Sequence, residues 1–431
     1  MKKMEYKQIK ETLYYEKLDN GLDVYILPKP GFSKQYATFT TKYGSIDNRF
    51  IPVGETEYVT VPDGIAHFLE HKMFEMEDGD VFDLFTKYSA NSNAYTSFNR
   101  TCYLFSSTSH FYENLEILLD FVQRIYLTDE NVEKEKGIIA QEIRMYDDNP
   151  DWRLYFGTIE SMYKENPVRI DIAGTVESIY QITKEQLLTC YHTFYHPSNM
   201  LLFVVGDVDP EETMNRIKEN QAKKTFEELK EVERTYIFEP NTVNEKEKVL
   251  YMDVATPKAA LGIKDHMSQR LGKDLIRYEL LLEILFQYLF SKSSNHYQAL
   301  LDEELINNTF GYDLTFEYSY GFGLINTDTK KPEAFIEKVR EILLNPDNFK
   351  MSEEDFNIIK NKLKGQSLKA LNSIENIANS FTRYQFNGSN LFESLELFDE
   401  LKLEDLQEVL PFFTEEAMTS TLIYPKSMQK Q

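Results

Sequence analysis

Residues 64–75 read GIAHFLEHKMFE and place His67, Glu70 and His71 inside one helical turn of an otherwise apolar run. On an α-helix, side chains four residues apart share a face, so His67 and His71 can direct two ring nitrogens at a common point. Glu70 falls beside that face. Two neutral imidazoles there could hold Zn²⁺ while a carboxylate reaches a metal-bound water without ligating the metal itself. The alternative is a buried turn that happens to carry two histidines. With only 7 histidines in the chain, an HxxEH order arises by chance in about one such sequence in a hundred, which is informative without being decisive. The surroundings weigh more. Ile65, Ala66, Phe68, Leu69, Met73 and Phe74 leave the helix apolar on most sides, and three ionisable groups in such a place are costly without partners. A metal ion is the partner that meets this cost.

A metal held by three protein groups needs one more imidazole or carboxylate. Among His110, His192, His196, His266 and His296, only His192 and His196 have helical spacing, and Pro197 follows at once, so this pair reads as structural. Glu135 and Glu142 in EKEKGIIAQEIRMYDDNP are better candidates, because seven residues are two helical turns along one face. Ile138, Ile139 and Met145 lie on or beside that face, while Lys136, Gln141 and Arg144 mark the opposite side as the wet one. Carboxylates on an apolar stripe want a cation or a hydrogen-bond network.

The elements that must position these groups follow from periodicity. LYYEKLDNGLDVYILPKP carries an Asn-Gly turn signal between two strand-like runs, and QYATFTTKYGSIDN adds an alternating strand. The HxxEH helix opens behind Pro62-Asp63-Gly64, with Asp63 as the expected cap. A Thr-, Tyr- and Phe-rich strand region, SANSNAYTSFNRTCYLFSSTS, comes next, then a series of helices, then the strand NMLLFVVGDVD. This mixture of antiparallel-type sheet and helices is α+β rather than a strict βαβ alternation. A charged stretch poor in apolar periodicity then marks a boundary, after which the order of elements recurs without any HxxEH. The predicted organisation is a domain at 1–225 bearing the motif, a linker at 226–247 and a second, duplicated domain at 248–431.

Bulk properties set the limits. A chain of 431 residues with 42% hydrophobic content has material for two large cores. The net charge of −24 argues against nucleic acid or an anionic membrane as partner and favours cationic ones. The run MLLFVVG is far short of the roughly 20 residues that cross a bilayer. The opening residues do not resemble a secretory leader, so a cytoplasmic location is expected. Cys102 and Cys190 are the only cysteines, which suits a reducing compartment and two buried thiols.

HFLEH followed some sixty to seventy residues later by EKGIIAQE resembles the pitrilysin family of zinc peptidases, which includes insulin-degrading enzyme and the mitochondrial processing peptidase. HxxEH is also the signature order of the inverzincins. LDNGLDVYILP, NAYTSFNRTCY, GTVESIYQITKEQLLTCYHTFYHPSNMLLFVVGDVD and FSKSSNHYQALLDEELI look like further landmarks of that family, spread over most of the chain. The resemblance implies two related α/β roll domains, one Zn²⁺ per chain on His67, His71 and Glu142, Glu70 as the base, and Glu135 as a supporting acid behind the ligands. It implies an endopeptidase acting on unfolded peptides inside a chamber. A chain of this length would form half of that chamber and pair as a homodimer or heterodimer.

SANSNAYTSF resembles the family's edge strand, at which substrate adds as an extra strand, so Asn93, Ala94 and Tyr95 are expected to bind an extended peptide through the backbone. One part of the pattern fails. Where the family places a substrate-clamping arginine ahead of the EEL run, Asp302 stands, with only Tyr312 beyond it. Arg383 and Tyr384 are adjacent on a helix and are expected to diverge by about 100°. This departure favours a heterodimer whose other chain supplies the clamp. A competing reading is a peptide-binding or assembly subunit with a structural metal, for which Glu70 would have no purpose.

Overall fold

The computed structural model describes residues 1–227, 231–266 and 269–429, so part of the expected linker, 228–230, lies outside the described residues. The chain forms two compact units. The first is built on a seven-stranded sheet whose order across the sheet is Lys2–Tyr6, Glu11–Lys17, Asp23–Pro28, Met200–Gly206, Gln35–Thr41, Thr101–Ser107 and Asn91–Thr96. The run MLLFVVG takes the central place, parallel to Asp23–Pro28 and antiparallel to Gln35–Thr41, with every residue buried. A continuous apolar run suits that position because both faces are covered. Asn20-Gly21 makes the expected turn between two antiparallel strands, with Gly21 at φ 89°. The polar strand Asn91–Thr96 closes the sheet as an edge and pairs only with Thr101–Ser107 among the described residues.

The second unit repeats this plan. Its five strands lie in the order Glu247–Met252, Met418–Pro425, Lys258–Lys264, Gly321–Asp328 and Gly311–Phe316, with the outer pair Glu247–Met252 and Met418–Pro425 parallel and the rest antiparallel. In both sheets the strand that comes last in sequence is inserted between the first and second of the shared set, and the third lies at the edge. The expected α+β duplication is therefore present as two homologous α/β rolls.

The units do not follow the contiguous division at 226–247, because each holds a helix from the other half of the sequence. Pro150–Met162 packs on the second sheet through Leu154, beside Ala260 and Ile423. Its fit is close: a Cβ on Gly262 would meet Thr158 Cγ2 at 2.5 Å. Ile374–Phe386 packs on the first sheet, where Phe381 lies against Tyr25 and Phe203 at centroid distances of 4.8 Å. Amphipathic periodicity shows that a helix buries one face and not which sheet receives it.

The helix Ile65–Lys72 seats Ile65, Ala66, Phe68 and Leu69 in the core of the first unit with Phe39, Tyr43, Phe85 and Phe105. Its start differs from expectation. Asp63 does not cap it; the Asp63 carboxylate accepts from Asn48 at 3.0 Å instead. Gly64 takes the cap position at φ 86°, where a Cβ would stand 2.3 Å from the Ala173 carbonyl. Only glycine meets both the left-handed backbone and that close approach.

Candidate metal centre

His67 and His71 extend from one helix towards Glu142 on the helix Asp129–Asp147. His67 Nε2 lies 3.7 Å from Glu142 Oε1, and His71 Nε2 lies 3.5 Å from Glu142 Oε2. All three donor atoms fall within 4.8 Å of one another. A tetrahedral Zn²⁺ with bonds of about 2.0–2.1 Å spaces its ligand atoms about 3.3 Å apart, so this donor set fits the ion with small adjustments. Protonation fits as well. Burial, helped by the nearby His71, pushes the His67 imidazole down to about 3 and keeps it neutral. Its Nδ1 is buried without a hydrogen-bond partner among the described residues, which leaves Nε2 as the useful atom.

Glu135 sits behind His71 and bonds its Nδ1 at 3.0 Å. With Nδ1 donating to a carboxylate, Nε2 is left free to ligate. Burial opposes a charge on His71, but the Glu135 hydrogen bond and the Glu70, Glu135 and Glu142 carboxylates outweigh it and raise the imidazole. For Glu135 burial again opposes charge, and the His71 and Lys72 contacts overcome it and hold the carboxyl below its ordinary range. The faces of this helix differ from those expected. Lys136 is buried, with its ammonium on Glu133 and the Tyr180 carbonyl, whereas Ile138 and Met145 are exposed. The long aliphatic stem of Lys136 lets it follow the buried stripe of Val132, Ile139 and Ile143.

Glu70 is buried, and burial raises its carboxyl above the ordinary range against the opposing hydrogen bond from Thr96. Thr96 Oγ1 donates to Glu70 Oε2 at 2.7 Å. Thr96 ends the strand Asn91–Thr96, so one hydrogen bond joins the edge strand to the carboxylate beside the metal donors. Sequence spacing marks Asn93, Ala94 and Tyr95 but not Thr96, whose hydroxyl continues the same polar run. Replacement of Thr96 by Val is expected to move the acid limb of the pH profile upward, because the hydroxyl bond, the larger of the two Thr96 bonds that lower the Glu70 pKa, is lost, and to reduce turnover about tenfold with metal content unchanged. A pH–rate profile beside a zinc assay checks this.

On the edge strand Asn93 is exposed, its side chain accepting from Ala94 N at 2.9 Å, and the Tyr95 hydroxyl donates to Asn379 Oδ1 at 2.7 Å. His192 and His196 line a cavity of about 790 Å³ with Tyr191 and Glu227 that shares no residue with the metal centre. His196 has both ring nitrogens engaged, by Ser198 Oγ and the Glu227 carbonyl at 2.8 Å each. Asp302 is exposed, and the Tyr312 hydroxyl is held by Glu283 at 2.7 Å and Gln287 at 2.6 Å. The Arg383 guanidinium lies over the Tyr384 ring at 5.5 Å, so these side chains do not diverge as the helical angle suggests; a long arginine folds back over its neighbour.

Two imidazoles and a carboxylate facing one point, with a second carboxylate held beside them and an edge strand bonded to it, form a donor set of the kind that holds Zn²⁺. Comparison with known proteins agrees. The family described as Insulinase (Peptidase family M16) matches residues 50–176, and the Peptidase M16 inactive domain matches 181–363. Over 428 residues the chain is 54% identical to a Bacillus subtilis protein named uncharacterized zinc protease YmfH, covering 99% of this chain and 100% of that one. It is 25% identical over 423 residues to zinc protease PqqE of Helicobacter pylori, covering 94% and 91%. The crystal structure of an M16-like chain from Alicyclobacillus acidocaldarius superposes with a TM-score of 0.92 at 39% identity, covering 96% of this chain and 98% of that chain. This protein belongs to peptidase family M16. Its fold also matches the periplasmic protease PqqL of Escherichia coli, with a TM-score of 0.68 at 17% identity, covering 96% of this chain but 47% of the longer one. Among the described residues, no helix is long and apolar enough to cross a membrane.

Proposed function

We propose that this chain is a zinc-dependent endopeptidase for unfolded peptides or small proteins, with His67, His71 and Glu142 as ligands and Glu70 as the base. The observation that carries the reading is the Thr96–Glu70 bond beside the three donor atoms. A metal site serving structure alone has no use for a buried carboxylate aimed beside the metal and tied to an open strand edge. When bound, Zn²⁺ would supply a Lewis acid for the peptide carbonyl and lower the pKa of a water. Glu70 then works as a proton carrier. Thr96 occupies Oε2, which leaves Oε1 to take the proton from the attacking water and return it to the leaving amine. Backbone groups at Asn93, Ala94 and Tyr95 hold the substrate as an added strand, with little reading of its sequence.

The proposed working form is a dimer, with a heterodimer favoured because neither Asp302 nor the engaged Tyr312 hydroxyl provides the substrate clamp. A reducing, cytoplasmic setting is proposed from Cys102 and Cys190, which are buried free thiols. The test is zinc content and cleavage of a panel of unfolded peptides, by the isolated chain and by the chain with whatever homologous subunit co-purifies with it. About one zinc per chain is expected, with cleavage lost on chelation and restored by Zn²⁺. A zinc-loaded chain that cleaves nothing in either form would instead be a peptide-binding or assembly subunit.

A further inference from the structure

Lys72 follows His71 directly, and its side chain is wholly buried, at 0% exposure. Lysine almost never occupies such a place without partners. Its Nζ donates to the Asn131 carbonyl at 3.2 Å, pairs with Glu75 at 2.5 Å and lies 3.7 Å from Glu135 Oε2. Asn131 and Glu135 both belong to the helix Asp129–Asp147, while Lys72 ends the helix Ile65–Lys72. These two helices carry all three metal donors, so this single ammonium ties the histidine-bearing helix to the glutamate-bearing one. The tie continues to the centre, since the other Glu135 oxygen holds His71 Nδ1 at 3.0 Å.

We propose that Lys72 is a positioning residue of the metal centre. It anchors one oxygen of Glu135 so that the other fixes the ring of His71, and it sets the spacing between the helix of His67 and His71 and the helix of Glu142. The proposal rests on the zinc reading given above. Without the ammonium, the buried Glu135 carboxylate loses its counter-charge and is free to rotate away from His71.

The measurement is Zn²⁺ affinity by chelator competition, with the absorption spectrum of the Co²⁺-loaded protein as a report of ligand geometry. Lys72→Met and Lys72→Gln are compared with wild type, alone and in an E135Q background. Gln is one atom shorter than Lys but keeps a neutral N–H donor for the polar partners, so it carries the test if the Met variant folds poorly. The expected result is Zn²⁺ binding about 10- to 100-fold weaker for Lys72→Met, a smaller loss for Lys72→Gln, and a shifted Co²⁺ spectrum. In the E135Q background either change should add little, because the effect runs through Glu135. Wild-type affinity and spectrum in both variants overturn the proposal, as do losses that simply add to that of E135Q. A wild-type chain that binds no Zn²⁺ overturns the zinc reading itself and this inference with it.

Discussion

Glu70→Gln is expected to lower peptide cleavage by about 10²- to 10⁴-fold, the range for loss of a positioned general base, while leaving zinc in place. Gln keeps an oxygen that can accept the 2.7 Å hydrogen bond from the Thr96 hydroxyl, so the side chain stays where the carboxylate was. What it cannot do is take a proton from water and return it to the amine. The metal-free stability should shift in the opposite direction. Burial raises the Glu70 carboxyl above its ordinary range, so the folded state favours its neutral form. Wild-type stability from this group is therefore full below the unfolded carboxyl pKa and is lost as pH rises through the folded one. A neutral amide has no such loss. At neutral pH the metal-free Gln variant should melt at or above the wild-type temperature, whereas a general packing defect would lower it. Single-turnover cleavage, zinc content and thermal melts of the metal-free proteins together decide the matter. Undiminished cleavage would falsify the role of Glu70.

The residues differ in how much of their placement could be read from sequence, and the reason is the range of the constraint. His67, Glu70 and His71 are fixed by helical geometry within one turn, so their convergence follows from spacing once the segment is helical. Glu142 is a tertiary neighbour some seventy residues away, and only the family resemblance separates it from Glu135 as the expected ligand. In the structure both glutamates reach the centre, Glu142 facing the two Nε2 atoms and Glu135 behind His71. Thr96 reaches Glu70 because Asn91–Thr96 pairs in register with Thr101–Ser107 beside the helix, and register is a property of the assembled sheet. Lys72 escaped for a different reason. A lysine in sequence reads as a wet residue, and only its three partners on assembled elements make burial tolerable.

The fold shows the same division. Strand character, the Asn20-Gly21 turn and the duplicated order of elements are local or periodic signals, and all were legible. The placement of Pro150–Met162 on the second sheet and Ile374–Phe386 on the first was not, because both helices advertise only an apolar face. Lys136 and Ile138 show the limit of such patterns: residue type assigned one to water and the other to the core, and packing reversed both.

Glu142→Ala is expected to remove zinc outright. The change leaves two imidazoles on one helix and removes the carboxylate that faces both of their Nε2 atoms from the second helix, whereas Glu135 on that helix reaches only His71 Nδ1 among the described donor atoms. Its loss of affinity should exceed the roughly 10- to 100-fold that removal of a supporting partner costs, so Glu135→Gln should fall between Glu142→Ala and wild type. The ordering separates a ligand from a residue that orients one. Acidification gives an independent check with a defined sign. A ring already held near 3 does not compete with metal for protons, so His67 stays available as pH falls. The His71 imidazole is raised above its ordinary range, so it takes up a proton first and zinc is released as pH falls through the His71 transition. Zinc retained after gel filtration across a pH series, measured for the three proteins with circular dichroism to monitor folding, reads both effects. Stoichiometric zinc in a folded Glu142→Ala protein would show that the metal, if any, is held elsewhere, and would remove Glu142 from the centre.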